Sequence, residues 1–311
     1  MLVDTVNRLT PLVPVEQILI LTNAALVEPI AAMLPQVPAA NLIAEPRPAG
    51  TGAALAWATH EIARRGGRDA VVISVHSDAA IADAESFRRT LTVAVDAAQR
   101  ENALVTVGIV PDRADTGFGY IQPGAAVTAG VSRVARFVEK PDRERAESMV
   151  AAGYLWNSGI FVWRAGDFLD ELRAHTPEVA PQLAAHADDM HAFFAAVTSG
   201  ISVDVGVLER SNRILVVGGR FGWDDVGTWA ALGRVSPRDV NGNALLGTVH
   251  ALDAHDNVVH ASEGGNAVVV FGVSNLVVVS CDGLTLVTTV ERAADLKTLT
   301  ASLPSSLRDR A

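Results

Sequence analysis

The sequence predicts an α/β protein with a mainly parallel sheet, followed by a small β-rich domain. Three observations carry this. Apolar residues make up 49% of the 311-residue chain and aromatics 5%, a balance suited to Ala-, Val- and Leu-rich strands buried on both faces. Apolar runs of strand length alternate with segments of helical spacing through the first two thirds. After Arg234 the helical spacing stops and short Val-rich runs take over.

In chain order, Gln17–Thr22 reads as a strand and Ala24–Leu34 as a helix stopped by Pro35. Asn41–Glu45 is a short strand. Gly52–Arg65 is a helix ending at Gly66-Gly67, Ala70–Val75 a buried strand, Glu85–Arg100 a helix and Leu104–Val110 another strand. Strands separated by helices of this length imply right-handed crossovers, with ligands at the carboxyl ends of the strands. That directs attention to the loops after Glu45, Val75 and Val110. Further strands are expected at Phe118–Gln122, Arg133–Glu139, Ile160–Arg164 and Arg213–Val217, with helices between Asp142 and Ala152 and between Ala165 and Val197. Asn241–Val290 reads as short strands with Gly, Asn and Asp turns, either a small β-domain or a β-helix-like stack. A helix near Ala293–Leu303 closes the chain. The domain boundary is expected near Ser236-Pro237.

Composition excludes several function classes. A net charge of −10 argues against a nucleic-acid surface. Cys281 is alone, so no internal disulfide forms, and a reducing, cytoplasmic compartment is expected. Residues 1–14 carry Asp4 and Arg8 and lack a signal-peptide core, and Ala267–Cys281, broken by Gly272, Ser274 and Asn275, is too short for a membrane helix. No membrane partner is expected.

Several polar clusters could carry chemistry. Asp78 ends a buried strand, where a carboxylate can hold Mg²⁺ beside phosphates or cap the next helix. Asp224 and Asp225 lie between tryptophans, a costly setting without a cation or backbone donors, or they form Asx turns before a helix beginning near Thr228. Glu139-Lys140-Pro141 offers a base for a phosphate and an acid for hydroxyls, or an ordinary exposed ion pair. The glycine-marked loops Thr116–Tyr120 and Glu45–Gly52 allow close ligand approach or are simple turns.

Taken in order, EP…GTG, the strand ending SVHSD, TGFGYIQPG, FVEKPD, YLWNSGIFVWR, SVDVGVLERS and FGWDDVGTW resemble mannose-1-phosphate guanylyltransferases along almost the whole chain. The resemblance implies a Rossmann-like nucleotidyltransferase domain over residues 1–236 and a β-helix-like domain over 237–311. It implies transfer of GMP from GTP to mannose 1-phosphate with Mg²⁺, giving GDP-mannose and pyrophosphate. By resemblance Asp78 and Asp225 are the metal-binding, catalytic acids, expected to face one cleft. Lys140 is catalytic, and Glu139 and Lys140 hold the sugar and its phosphate. Gly119 and Asn157 touch the sugar, Thr51 and Gly52 border the guanine, and Glu45, Tyr120 and Asp224 complete the substrate-binding set. A homodimer is a possible assembly. The alternatives are another sugar 1-phosphate or nucleotide, or a silent sugar-nucleotide-binding protein.

The chain departs from that pattern in three places. The family's LAGGxGTRLWPxS segment, a strand and a phosphate-binding loop, has no counterpart in residues 1–311, and Met1–Val6 matches the helix that follows it. An upstream strand and loop are therefore expected, and the chain as given is expected to turn over poorly. Ala79 stands where the family usually has His, and Ala49 and Gly50 where it often has Arg and Asn.

Overall fold

The computed structural model describes residues 1–262, 264–304 and 307, with the backbone alone at 294, 295 and 297. The chain divides into two compact units, Met1–Trp223 and Asp224–Ala311.

The first unit opens with α1 (Leu2–Leu9), β1 (Ile20–Asn23), α2 (Ala24–Met33), β2 (Leu42–Glu45), α3 (Gly50–Gly66), β3 (Val71–Ser74), β4 (Ala80–Ile81), α4 (Ala84–Glu101) and β5 (Leu104–Ile109). It continues with β6 (Tyr120–Thr128), β7 (Val131–Val138), α5 (Arg143–Ala151), β8 (Leu155–Arg164), α6 (Ala165–His175), α7 (Ala180–Ala185), α8 (Met190–Ala196) and β9 (Ile214–Gly219). Helix starts follow short polar side chains: Asn23, Asp83, Asp142 and Asp189 each accept a hydrogen bond from a first-turn amide of α2, α4, α5 or α8. Gly67, at φ +84°, ends α3.

The main sheet has six strands in the order β3-β8-β5-β9-β7-β6, with β6 also touching β8. Strands β3, β5, β6 and β9 run one way, while β7 and β8 run the other. The reversed strands are interleaved, so β5–β9 is this sheet's parallel pair and its other neighbours are antiparallel. β1 and β2 form a separate parallel pair, and β3 is an edge of the larger sheet.

Every residue of β5 is buried, as expected of a strand covered on both faces. Val105 and Val107 join a core with Val6 and Leu9 of α1, Ile30 of α2 and Leu91 of α4. Leu104 points into the other core, with Trp57 of α3, Phe168 of α6 and Phe193 of α8. The α1 helix is also tied to the loop after β3: Thr5 Oγ1 donates to the Ser77 carbonyl at 3.3 Å and Arg8 to that of Ala79 at 3.3 Å.

In the second unit, Ala244–Leu246, Val258–Ala261 and Leu276–Cys281 pair parallel in turn, and Leu284–Thr289 adds antiparallel. Val249–Leu252 and Val268–Phe271 form a second parallel pair. Successive coils thus stack strand on strand, the β-helix-like arrangement. The division at Trp223 falls before the expected Ser236-Pro237 boundary because α9 (Trp229–Val235) packs with the strands after it. A Cβ on Gly233 would run into the Val258 side chain, so glycine permits that approach. The closing segment is a 3₁₀ turn, Glu291–Asp295, followed by α10 (Leu296–Ser302).

Two fully buried asparagines hold these coils together. The Asn257 amide donates to Asn243 Oδ1 at 2.9 Å and to the Val273 carbonyl at 3.1 Å, and its own Oδ1 accepts from the Leu276 N–H at 2.9 Å. Asn257→Ala strands these partners away from water and should cost about 3 kcal/mol, at roughly 1–3 kcal/mol per unsatisfied buried group. Urea unfolding checks this; a loss below roughly 0.5 kcal/mol, the level of an ordinary surface change, would show that water replaces the ladder.

Candidate active site

Four of the expected residues converge at the ends of β6, β7 and β8. Asn157, near the start of β8, donates its backbone N–H to the Gly119 carbonyl at 2.8 Å. Gly119 is glycine for a visible reason: a Cβ there would lie 2.8 Å from Glu139 Oε2 and 3.6 Å from the Asn157 Cβ. Glu139 follows β7 and pairs with Lys140, Nζ to Oε1 at 3.1 Å, with both side chains about 65% exposed. An ion pair so open to water contributes little stability. Lys140 sits at φ +39°, a strained conformation for a side-chain-bearing residue. A carboxylate, an ammonium and a carboxamide therefore share one patch around a bare glycine, able to bind hydroxyls and a phosphate.

Glu45 ends β2 and is half-buried, and that burial raises its carboxyl above the ordinary range. Thr51 and Gly52 open α3, and local packing accounts for them. Thr51 Oγ1 accepts from the Val203 N–H at 3.0 Å, and the Gly52 N–H donates to the Ile201 carbonyl at 2.9 Å. A Cβ on Gly52 would meet that same carbonyl oxygen at 2.8 Å, and one on Gly50, at φ +83°, would meet it at 2.6 Å. The Gly52 amide is thus already engaged within the fold.

Asp78 lies four residues past the end of β3, exposed, and its carboxylate makes no hydrogen bond among the described residues. It does not cap the following helix, a task Asp83 performs through the amides of Glu85 and Ser86. Asp78 belongs to the first unit and Asp225 to the second. Both aspartates of the second motif form Asx turns: Asp224 Oδ1 accepts from Val226 N–H at 3.0 Å and Asp225 Oδ1 from Gly227 N–H at 3.2 Å. Asp225 is exposed.

Two residues expected to bind substrate are engaged within the fold. Tyr120 is fully buried; its hydroxyl donates to the Asp115 carbonyl at 2.9 Å and accepts from the Asp115 N–H at 3.1 Å, so it shapes the glycine loop from within. Asp224 is 5% exposed and takes Arg234 through both carboxylate oxygens, at 2.8 and 3.2 Å, a structural ion pair inside the second unit. In each case the motif identified the residue but not the direction of its side chain.

Three residues at the site carried no assignment from the sequence. Asp204 accepts from Asn157 Nδ2 at 2.7 Å. Glu209 is held above the ordinary carboxyl range by burial first, then by the charges of Asp204 and Glu139. The His76 ring occupies the space a Cβ on Gly159 would need, at φ +70°. Asp204 and Glu209 lie inside the SVDVGVLERS motif; His76 had no signal beyond standing two residues before Asp78.

The sequence profile of the nucleotidyl transferase family matches residues 1–242, and the chain belongs to that family. Within it, the chain is 40% identical to a Klebsiella pneumoniae protein named mannose-1-phosphate guanylyltransferase, over 83% of this chain and 56% of that protein. It is 38% identical to an Escherichia coli protein of the same name, over 96% of this chain and 65% of that one. The chain thus spans less than two thirds of the length of these relatives. A Thermus thermophilus structure described as a mannose-1-phosphate geranyltransferase superposes with a TM-score of 0.86 at 32% identity, covering 96% of this chain and 88% of that one. Among the described residues, no helix is long and apolar enough to cross a membrane.

Tyr120→Phe leaves the Asp115 N–H and carbonyl without their partner and should destabilise the chain by about 1–3 kcal/mol. Thermal unfolding reads this; unchanged stability would mean that the hydroxyl is not what holds the loop.

Proposed function

We propose that this chain carries the nucleotidyl-transfer chemistry of a mannose-1-phosphate guanylyltransferase. A phosphate oxygen of mannose 1-phosphate attacks the α-phosphorus of GTP, the bond to the β-phosphate breaks, and pyrophosphate leaves as GDP-mannose forms. The observation that carries the reading is the convergence of Glu139, Lys140 and Asn157 around Gly119. In this reading Glu139 and Asn157 hold sugar hydroxyls and the Lys140 ammonium faces the sugar phosphate. Glu45 and the Thr51-Gly52 turn border the guanine. No protein nucleophile is needed, because such transfers rest on in-line alignment and charge neutralisation.

Asp78 would be a Mg²⁺-binding acid, and Asp225, described within its own unit, is the other acid to which the resemblance gives that role. Both offer hard carboxylate oxygens, and Asp78 has no competing partner among the described residues, which suits an ion that takes one or two carboxylates beside phosphate oxygens. The ion, when bound, neutralises phosphate charge. GTP and mannose 1-phosphate as substrates, a cytoplasmic setting with the lone Cys281 reduced, and homodimer assembly complete the proposal.

The triphosphate also needs donors for its β- and γ-phosphates. A protein with this chemistry should release pyrophosphate from GTP and mannose 1-phosphate in a Mg²⁺-dependent way. No release from that substrate pair would overturn the reading. A faster reaction with another sugar 1-phosphate would change the substrate and keep the chemistry.

Asp225→Asn should lower kcat on the order of a hundredfold, the scale of losing one charge-stabilising group, with unfolding temperature retained. Wild-type turnover in that variant would remove Asp225 from the chemistry.

A further inference from the structure

We propose that Asp204 is a positioning residue: it fixes the orientation of the Asn157 carboxamide and so sets which hydrogen-bonding group that side chain offers a sugar. The identity of the sugar ligand rests on the guanylyltransferase reading above; the positioning does not.

A carboxylate only accepts hydrogen bonds, so whatever faces Asp204 must donate. Asn157 Nδ2 meets Asp204 Oδ1 at 2.7 Å, which turns the amide nitrogen toward Asp204. Its Oδ1 is thereby turned toward donors, the Gly159 N–H at 3.3 Å and the Thr106 hydroxyl at 3.5 Å. The Asn157 backbone is pinned separately by the Gly119 carbonyl. With one amide hydrogen spent on Asp204, the second is the group left to present. Asn157 therefore offers a donor, while neighbouring Glu139 offers acceptors. That pair suits two sugar hydroxyls, one accepting and one donating.

Asp204 is itself held firmly. It begins a π-helical turn, Asp204–Leu208, a rare geometry that recurs at functional sites. The Glu209 N–H closes on the Asp204 carbonyl at 2.8 Å, and the buried Thr176 hydroxyl donates to the Gly206 carbonyl at 2.6 Å. One residue upstream, the Val203 N–H is anchored on Thr51, and the Ile201 carbonyl takes the Gly52 N–H. Residues 201–209 thus join the turn that opens α3 to the amide that begins β8.

The test uses the 311-residue chain, with calorimetric titration of GDP-mannose and of GDP. Asp204→Asn permits both amide orientations, so GDP-mannose affinity should fall roughly tenfold, the loss of about one hydrogen bond, while GDP affinity holds. The double variant Asn157→Asp with Asp204→Asn restores a hydrogen bond between the two positions in the opposite sense. It should recover the melting temperature but not GDP-mannose binding. If the double variant recovers GDP-mannose binding, or if GDP and GDP-mannose weaken together, Asp204 is merely structural and the proposal is overturned. Failure of the unaltered chain to bind GDP-mannose would count against the guanylyltransferase reading. The ligand-free chain still decides the positioning: with ¹⁵N-labelled asparagine, the Asn157 side-chain NH₂ resonances should move in Asp204→Ala and identify themselves by vanishing in Asn157→Asp. Unmoved resonances overturn the proposal.

Discussion

Strand β8 is hydrogen-bonded to β3 and β5 and touches β6 near its start, and it can be buried only because those pairings satisfy its backbone groups. Its apolar residues serve both cores: Trp156, Ile160 and Val162 join one, Phe161 and Trp163 the other. Between them the β5–β8 register slips, in the interval Thr106 to Gly108. The buried Ser158 hydroxyl repairs the break, donating to the Val107 carbonyl at 2.6 Å and accepting from the Ile160 N–H at 3.1 Å. Past the slip, the Asn157 N–H is taken by the Gly119 carbonyl. Bulges of this kind often re-aim a side chain beside a functional site. Here the irregularity lies beside the patch formed by Gly119, Glu139, Lys140 and Asn157.

The second unit solves the same problem with different means. Its strands are short and its cores small, centred on Val259 and Val278 in one cluster and Val258 and Val277 in another. So little apolar surface per coil would not fix the stacking alone. The Asn243–Asn257 ladder supplies the missing specification, because a buried carboxamide tolerates few registers. Asp239 closes that ladder, accepting from the Asn243 amide and backbone, and those hydrogen bonds hold its carboxyl below the usual range.

Much of this fold was legible in the sequence where the physics is local. The helices at Ala24–Met33, Gly50–Gly66 and Ala84–Glu101 follow from apolar spacing and end signals, and each observed end lies near the expected one. Strand β8 was expected at Ile160 and begins at Leu155, because the polar run Asn157-Ser158-Gly159 disguises a strand whose polar side chains are satisfied by distant partners. β6 runs on to Thr128 through Pro123 and Gly124, residues that read as a stop; the β6–β7 register shifts there to accommodate them. Motif order pointed to Gly119, Glu139, Lys140 and Asn157, which the fold brings together. It could not show that Tyr120 and Asp224 point inward, since a residue's facing depends on contacts outside its motif. Asp204 was least accessible, because its meaning comes from a partner 47 positions away.

The glycines show why a motif and a fold can both be read correctly and still support different roles. At Gly119 the space a Cβ would fill borders the end of the Glu139 side chain, a group that can swing aside. At Gly50 and Gly52 it is occupied by the Ile201 backbone carbonyl, which cannot move without shifting residues 201–209. The first glycine is therefore a requirement of the patch, governing where a carboxylate sits. The other two are requirements of the fold, governing how closely one backbone passes another. The Gly50-Thr51-Gly52 turn grips a segment that carries Asp204, and Asp204 holds Asn157. Close packing at α3 thus reaches the Asn157 amide through a few short contacts.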